Sequence, residues 1–133
     1  MYKVVVDTNV FISGILFGGN PRTIIEAWLS KKYIFCLSPE LKAEILNKLQ
    51  RKFFLPISAM QTIEEALDTN TKKYIPKEKL LICKDTRDNF LLELAQEAQA
   101  DYIVSGDKLV LELKQHSKTK IISSKDFLKF LKI

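Results

Sequence analysis

The sequence predicts an α/β fold built on a parallel sheet with helices on both faces, and three observations carry that expectation. Short β-branched or apolar runs at residues 2–6, 33–37, 102–105 and 120–122 alternate with stretches of helical apolar periodicity. The runs Val4-Val5-Val6 and Ile103-Val104 are continuously apolar, as strands buried on both faces are. Two of the runs also stop at an aspartate, Asp7 and Asp107, which is where functional side chains collect in such sheets.

Taken in order, the first strand ends at Val6, and residues 8–16 form a loop or short helix carrying Val10, Phe11 and Ile15. Gly18 and Gly19 break the chain, and Asn20 followed by Pro21 reads as the cap and first turn of a helix burying Ile24, Ile25, Trp28 and Leu29. After the second strand, Ser38-Pro39 opens a helix over 39–53, with Leu41, Ile45, Leu46 and Leu49 inward and Lys42, Lys48, Arg51 and Lys52 outward. Ser58 and Gln61 resemble a capping box for a helix running to about Lys73.

Leu80 to Cys83 reads as a short extended piece, and residues 88–98 as an amphipathic helix. Phe90, Leu91, Leu94, Ala95 and Ala98 form its apolar side, with glutamates and glutamines opposite. A helix over 108–115, the strand 120–122 and a final helix led by Ser123 or Ser124 complete the chain. At 133 residues, residues 1–133 are expected to form a single domain.

Composition narrows the function classes. With 47% hydrophobic and 28% charged residues the chain is neither disordered nor fibrous. Cys36 and Cys83 show no Cys-x-x-Cys spacing and His116 is the single histidine, which argues against a zinc site and against Ser-His or Cys-His nucleophilic catalysis. Both thiols read as buried hydrophobes of a reducing compartment. No Gly-rich phosphate loop appears, and no apolar stretch has signal-peptide or membrane-spanning length, so a soluble cytoplasmic protein with no membrane partner is expected. The net charge of +5 favours a polyanionic partner weakly.

The chemistry rests on acids. Asp7 ends a buried strand, which is expensive unless the carboxylate meets a turn, a cleft or a cation. Asp107 stands in the equivalent place after Ser105-Gly106, where the hydroxyl and the turn can orient it. Asp88 opens a helix and either caps it or joins the other acids; Asp85 is either that cap or loop decoration. Glu44 either pairs with Lys48 at i,i+4 or tilts inward beside Ile45. Thr8 and Asn9 supply short polar groups beside Asp7. Converging carboxylates suit Mg²⁺ or Mn²⁺, hard ions that take oxygen ligands and offset charge at a phosphodiester.

The stretches Val-Val-Asp7-Thr8-Asn9-Val-Phe-Ile-Ser, Ser38-Pro39-Glu40 leading to Glu44-Ile45, Asp85-Thr86-Arg87-Asp88-Asn89-Phe90, and Ala100-Asp101-Tyr102-Ile103-Val104-Ser105-Gly106-Asp107 together resemble PIN-domain ribonucleases. They are most similar to the small VapC-like toxin components of toxin–antitoxin systems. That resemblance implies a three-layer α/β/α sandwich with a central parallel β-sheet, an RNA substrate, a homodimer and a protein antitoxin as partners. It also implies one or two divalent cations held by Asp7, Glu44, Asp88 and Asp107, with Asn9 and Ser105 in support. Thr86 stands where the group commonly has proline, and Lys108-Leu109-Val110 replaces a run that often carries another acid.

The expected function is therefore a metal-dependent endoribonuclease whose phosphate contacts include Arg22, Lys42 and Lys108. Two other classes compete: a receiver-like Mg²⁺-binding signalling module, which has no use for Glu44 and Asp88, and a catalytically silent RNA-binding protein.

Overall fold

A computed structural model describes residues 1–83, 85 and 88–133. Its sheet contains β1 (Lys3–Val6), β2 (Ile34–Leu37), β3 (Lys72–Lys73), β4 (Tyr102–Val104), β5 (Gln115–His116) and β6 (Thr119–Ile122). The strands lie in the order β3-β2-β1-β4-β6-β5, all neighbours parallel except β5 with β6. The helices are α1 (Thr8–Leu16), α2 (Gly19–Leu29), α3 (Pro39–Arg51), α4 (Ile57–Thr69), α5 (Asn89–Ala98), α6 (Lys108–Leu111) and α7 (Ser124–Phe130). The mainly parallel sheet flanked by helices is the expected α/β sandwich.

The topology decides where a site forms. The chain steps outward from β1 to β2 to β3, then returns to place β4 on the other side of β1. Strand order reverses between β1 and β4, so loops leaving these two strands part and open a crevice at their carboxyl ends. The register levels those ends: Val6 lies opposite Val104, and the Asp7 N–H donates to the Val104 carbonyl at 2.9 Å.

Burial explains the strand choice. Val4, Val5, Val6, Ile103 and Val104 are fully buried, as a central strand pair covered on both faces requires. One side packs the rings of Phe11, Trp28 and Phe35, with centroids 5.1–6.0 Å apart. Helix α5 lays Leu91, Leu92, Leu94, Ala95 and Ala98 against β1, β2 and β4. Truncating fully buried Leu92 to alanine would cost about 2–5 kcal/mol, the usual range for a core leucine.

Local chemistry departs from the sequence expectation at several points. Asn20 does not cap α2: Gly18, at φ 107°, holds that position, and the helix starts at Gly19. Two glycines at positive φ make the turn themselves. Behind it α1 and α2 approach so closely that a Cβ on Gly14 would lie 2.5 Å from the Pro21 carbonyl oxygen. Leu29, assigned to the buried stripe, is 51% exposed at the end of α2.

Ser58 and Gln61 form no capping box, since α4 begins at Ile57 directly after Pro56. It also stops at Thr69: the Thr69 hydroxyl and Asn70 amide turn back onto the carbonyls of Glu65 and Ala66, freeing Lys72–Lys73 to pair with Cys36–Leu37. Residues 80–83 join no sheet. The helix expected over 108–115 ends at Leu111, because Lys114, at φ 61°, turns the chain into the β5–β6 hairpin.

Candidate metal centre

Two aspartates leave the sheet side by side. Asp7 follows β1 and is 7% exposed; Asp107 follows β4 by way of Ser105 and Gly106. The fully buried Ser105 hydroxyl donates to Asp7 Oδ2 at 2.7 Å and accepts the Asp107 N–H at 3.0 Å. Each aspartate also starts a helix. Asp7 Oδ1 accepts the Asn9 N–H at a long 3.4 Å, and Asp107 Oδ1 accepts the Leu109 N–H at 2.8 Å. Turn formation therefore occupies one oxygen of each carboxylate.

Helices α3 and α5 bring the remaining acids to the same place. Asp7, Asn9, Glu44, Lys48, Asp85, Asp88 and Asp107 line one open cleft of about 310 Å³. Asp88 occupies the N-cap position of α5, yet its carboxylate caps nothing. Its backbone N–H donates to the Asp85 carbonyl at 3.0 Å, and its buried Oδ2 has no hydrogen-bond partner. A buried carboxylate oxygen without a donor costs free energy that an unused cap does not recover. Helix capping, the plain explanation of Asp88, is thus removed.

The electrostatics follow from crowding. Burial, reinforced by Asp107, Asp7, Asp85 and Glu44, pushes the Asp88 carboxyl up to about 6. Asp7 is also raised by burial, against the lowering effect of the Ser105 and Asn9 hydrogen bonds. At the rim, burial with Asp88, Asp107 and Asp85 nearby raises the Cys83 thiol to about 11. Like charges gathered this way favour either a proton or a cation among them.

Among the described residues one cation reaches the cleft, Lys48, which the sequence placed on the solvated face. Lys48 Nζ donates to Asn9 Oδ1 at 3.1 Å and lies 3.6 Å from Glu44 Oε1, one turn back on α3. The arginine and two lysines expected from sequence to contact phosphate stand outside the cleft lining. Arg22 donates from Nε to the Gly14 carbonyl at 2.6 Å and from Nη2 to that of Ile15 at 3.3 Å, closing the end of α1. Lys42 pairs with Glu64 at 3.1 Å and Asp68 at 2.8 Å on α4. Lys108 is exposed and does not line the cleft. The Thr8 hydroxyl, one of the short polar groups noted beside Asp7, is buried without a hydrogen-bond partner among the described residues, and Thr86 lies outside them.

The donor set fits a hard divalent cation: it is all oxygen, predominantly carboxylate, with the orphaned Asp88 Oδ2 among the donors. Among the described residues no three acidic, histidine or cysteine groups already stand at ligating spacing. An ion here would keep several waters, as Mg²⁺ does when one or two carboxylates hold it directly.

Comparison with known proteins agrees with this architecture. The chain is 31% identical over 121 residues to the uncharacterized protein MJ1680 of Methanocaldococcus jannaschii, covering 87% of this chain and 77% of the relative. Its fold matches the Mycobacterium tuberculosis toxin VapC20, described as cleaving the sarcin-ricin loop, with a TM-score of 0.56 at 13% identity over 88% of this chain and 98% of VapC20. The PIN domain endonuclease Utp24 matches with a TM-score of 0.52 at 22% identity, covering 92% of this chain and 84% of that one. No described helix is long and apolar enough to cross a membrane. Residues 3–109 match the PIN domain family, to which this chain belongs.

Proposed function

We propose that this chain is a divalent-metal-dependent endoribonuclease whose cation, Mg²⁺ or Mn²⁺, is held by Asp7, Glu44, Asp88 and Asp107. The observation that carries the reading is the shared cleft itself, in which Asp88 keeps a buried, unpartnered oxygen although a capping role was open to it. Membership of the PIN domain family supports the same chemistry.

The chain's own residues divide the work. Asp7 and Asp107, joined by Ser105, form the rigid side of the cleft because both are anchored to sheet strands. Glu44 and Asp88 close it from two helices, and Asp85 stands beside Asp88. Lys48, a cation lining the cleft, would hold a phosphate of the incoming strand. When bound, the metal supplies Lewis acidity at the phosphate and an activated water. No protein nucleophile is required, which agrees with the lack of any histidine among the residues lining the cleft.

The toxin role and a protein antitoxin extend this proposal, by fold likeness to VapC20. Labelled single-stranded RNA is the substrate to test, incubated with Mg²⁺, Mn²⁺ or EDTA beside Asp7→Asn. Cleavage only with metal and only by the wild type is expected. Cleavage that persists in EDTA ends the metal reading; metal-independent binding without cleavage leaves the silent RNA-binding class. Growth arrest on expression, relieved by Asp7→Asn, is the outcome expected for a toxin; unimpaired growth counts against that extension.

A further inference from the structure

Three acceptors on one stripe of α5 grip the segment that leads into the cleft. Asn89, Glu93 and Glu97 follow four-residue spacing, so they stack along one side of the helix. Asn89 Oδ1 accepts the N–H groups of Ile82 at 3.0 Å and Cys83 at 2.8 Å. Glu93 Oε2 accepts the Leu80 N–H at 2.8 Å, and Glu97 Oε1 accepts that of Lys77 at 3.1 Å. Side chains of a helix thus bond a stretch of backbone that joins no strand.

The arrangement is mutual. Asn89 is 4% exposed and Glu93 6%, and polar groups so buried are costly unless bonded. Among the described residues Glu93 has one further partner in reach, the exposed Lys79 ammonium at 3.9 Å, so the segment's backbone is the closer partner of its carboxylate. Asp85 lies two residues beyond Cys83, and its carbonyl is tied to the Asp88 N–H at 3.0 Å. The gripped segment therefore ends two residues before Asp85, one of the carboxylates that line the cleft.

We propose that Asn89 is a positioning residue for the cation site: by holding Ile82 and Cys83 it fixes where Asp85 stands relative to Asp88. The proposal rests on the metal-dependent reading above. Two residues of chain reach at most about 7 Å, so an anchored Cys83 limits where Asp85 can stand, and release of Cys83 widens that range.

The test uses the full chain as wild type, Asn89→Leu and Asn89→Asp, the last of which keeps an acceptor oxygen. Two readings are taken: the rate at which Ellman's reagent modifies Cys83, with fully buried Cys36 as internal reference, and Mn²⁺ affinity from the free-ion EPR signal. N89L is expected to react about tenfold faster at Cys83 and to bind Mn²⁺ about tenfold more weakly, the lower end of what loss of a supporting residue costs a metal site. N89D is expected to match the wild type at the thiol and, because it adds a negative charge beside Asp88, to bind Mn²⁺ at least as tightly as the wild type. An unchanged thiol rate, an unchanged Mn²⁺ affinity in N89L, or N89D behaving as N89L overturns the proposal. Wild-type protein that binds no Mn²⁺ sinks the metal reading and this proposal together, whereas normal wild-type binding with unaltered N89L sinks this proposal alone. Amide exchange in the wild type gives a readout independent of variant folding: slow exchange at Leu80, Ile82 and Cys83 is expected, and fast exchange at all three contradicts the grip.

Discussion

The Ser105 hydroxyl donates to Asp7 Oδ2 at 2.7 Å, and through that one bond the ends of two parallel strands share a polar anchor. The same oxygen accepts the Asp107 N–H, so Ser105 fixes the spacing of both strand-end acids. Ser105→Ala is expected to lower cleavage by about 10–100-fold, the usual penalty for losing a group that orients a ligand. Its stability should fall by about 1–3 kcal/mol in a thermal melt, because two hydrogen bonds are lost and the buried Asp7 oxygen loses its donor. Full activity would show that Asp7 needs no such orientation.

Asp107→Asn separates chemistry from folding. Asparagine keeps the oxygen that caps α6 and removes a negative charge from the cluster that raises Asp88. Cleavage should disappear while the melting temperature in EDTA is equal to or above that of the wild type. A markedly destabilised variant would assign Asp107 a structural role.

The raised acids fix a sign for pH dependence. Burial and the neighbouring acids push the Asp88 carboxyl up to about 6 in the folded chain, against an ordinary value of 3.8. Between those limits the folded state holds more protons than the unfolded, so this group's contribution to metal-free stability falls as pH rises through the window. Thermal melts in EDTA should place this contribution higher at pH 5 than at pH 7, and Asp88→Asn should remove it. Mn²⁺ affinity should run the other way, weakening as pH drops through 6 and Asp88 protonates. A pH-independent Mn²⁺ affinity across that range would remove Asp88 from the ligand set.

Lys48 carries a prediction of opposite signs. Replacing it with methionine removes an ammonium that lies 3.6 Å from Glu44 and helps hold Asp7 ionised. Mn²⁺ should then bind more tightly, because this fixed cation no longer competes, while RNA should bind less tightly. The slope of log affinity against log salt should shrink by about 1, as for loss of one phosphate contact. A loss of both affinities would mean that Lys48 only orders the acids.

What the sequence showed and what it hid have physical reasons. Strands β1, β2 and β4 are apolar because both faces are covered, β6 shows itself by Ile121 and Ile122, and α2, α3 and α5 carry apolar stripes, so periodicity reveals them. Strands β3 and β5 are two residues each, Lys72–Lys73 and Gln115–His116, and owe their conformation to a neighbour rather than to their own side chains. Glu93 reads as a solvated residue of α5 and is buried because a distant N–H awaits it. Lys42 and Lys48 look alike on α3; only the surroundings decide that one meets Glu64 and Asp68 and the other meets the cleft. Strand ends that bear Asp7 and Asp107 were visible as motifs, whereas the Ser105 bridge depends on register between strands nearly a hundred residues apart.

Manganese titration of Asp88→Asn against the wild type at pH 7.5, followed by the free-ion EPR signal, tests most directly whether these carboxylates share one cation. The account predicts saturable binding by the wild type and an affinity at least about tenfold weaker in the variant. Equal affinity in the two proteins would contradict it.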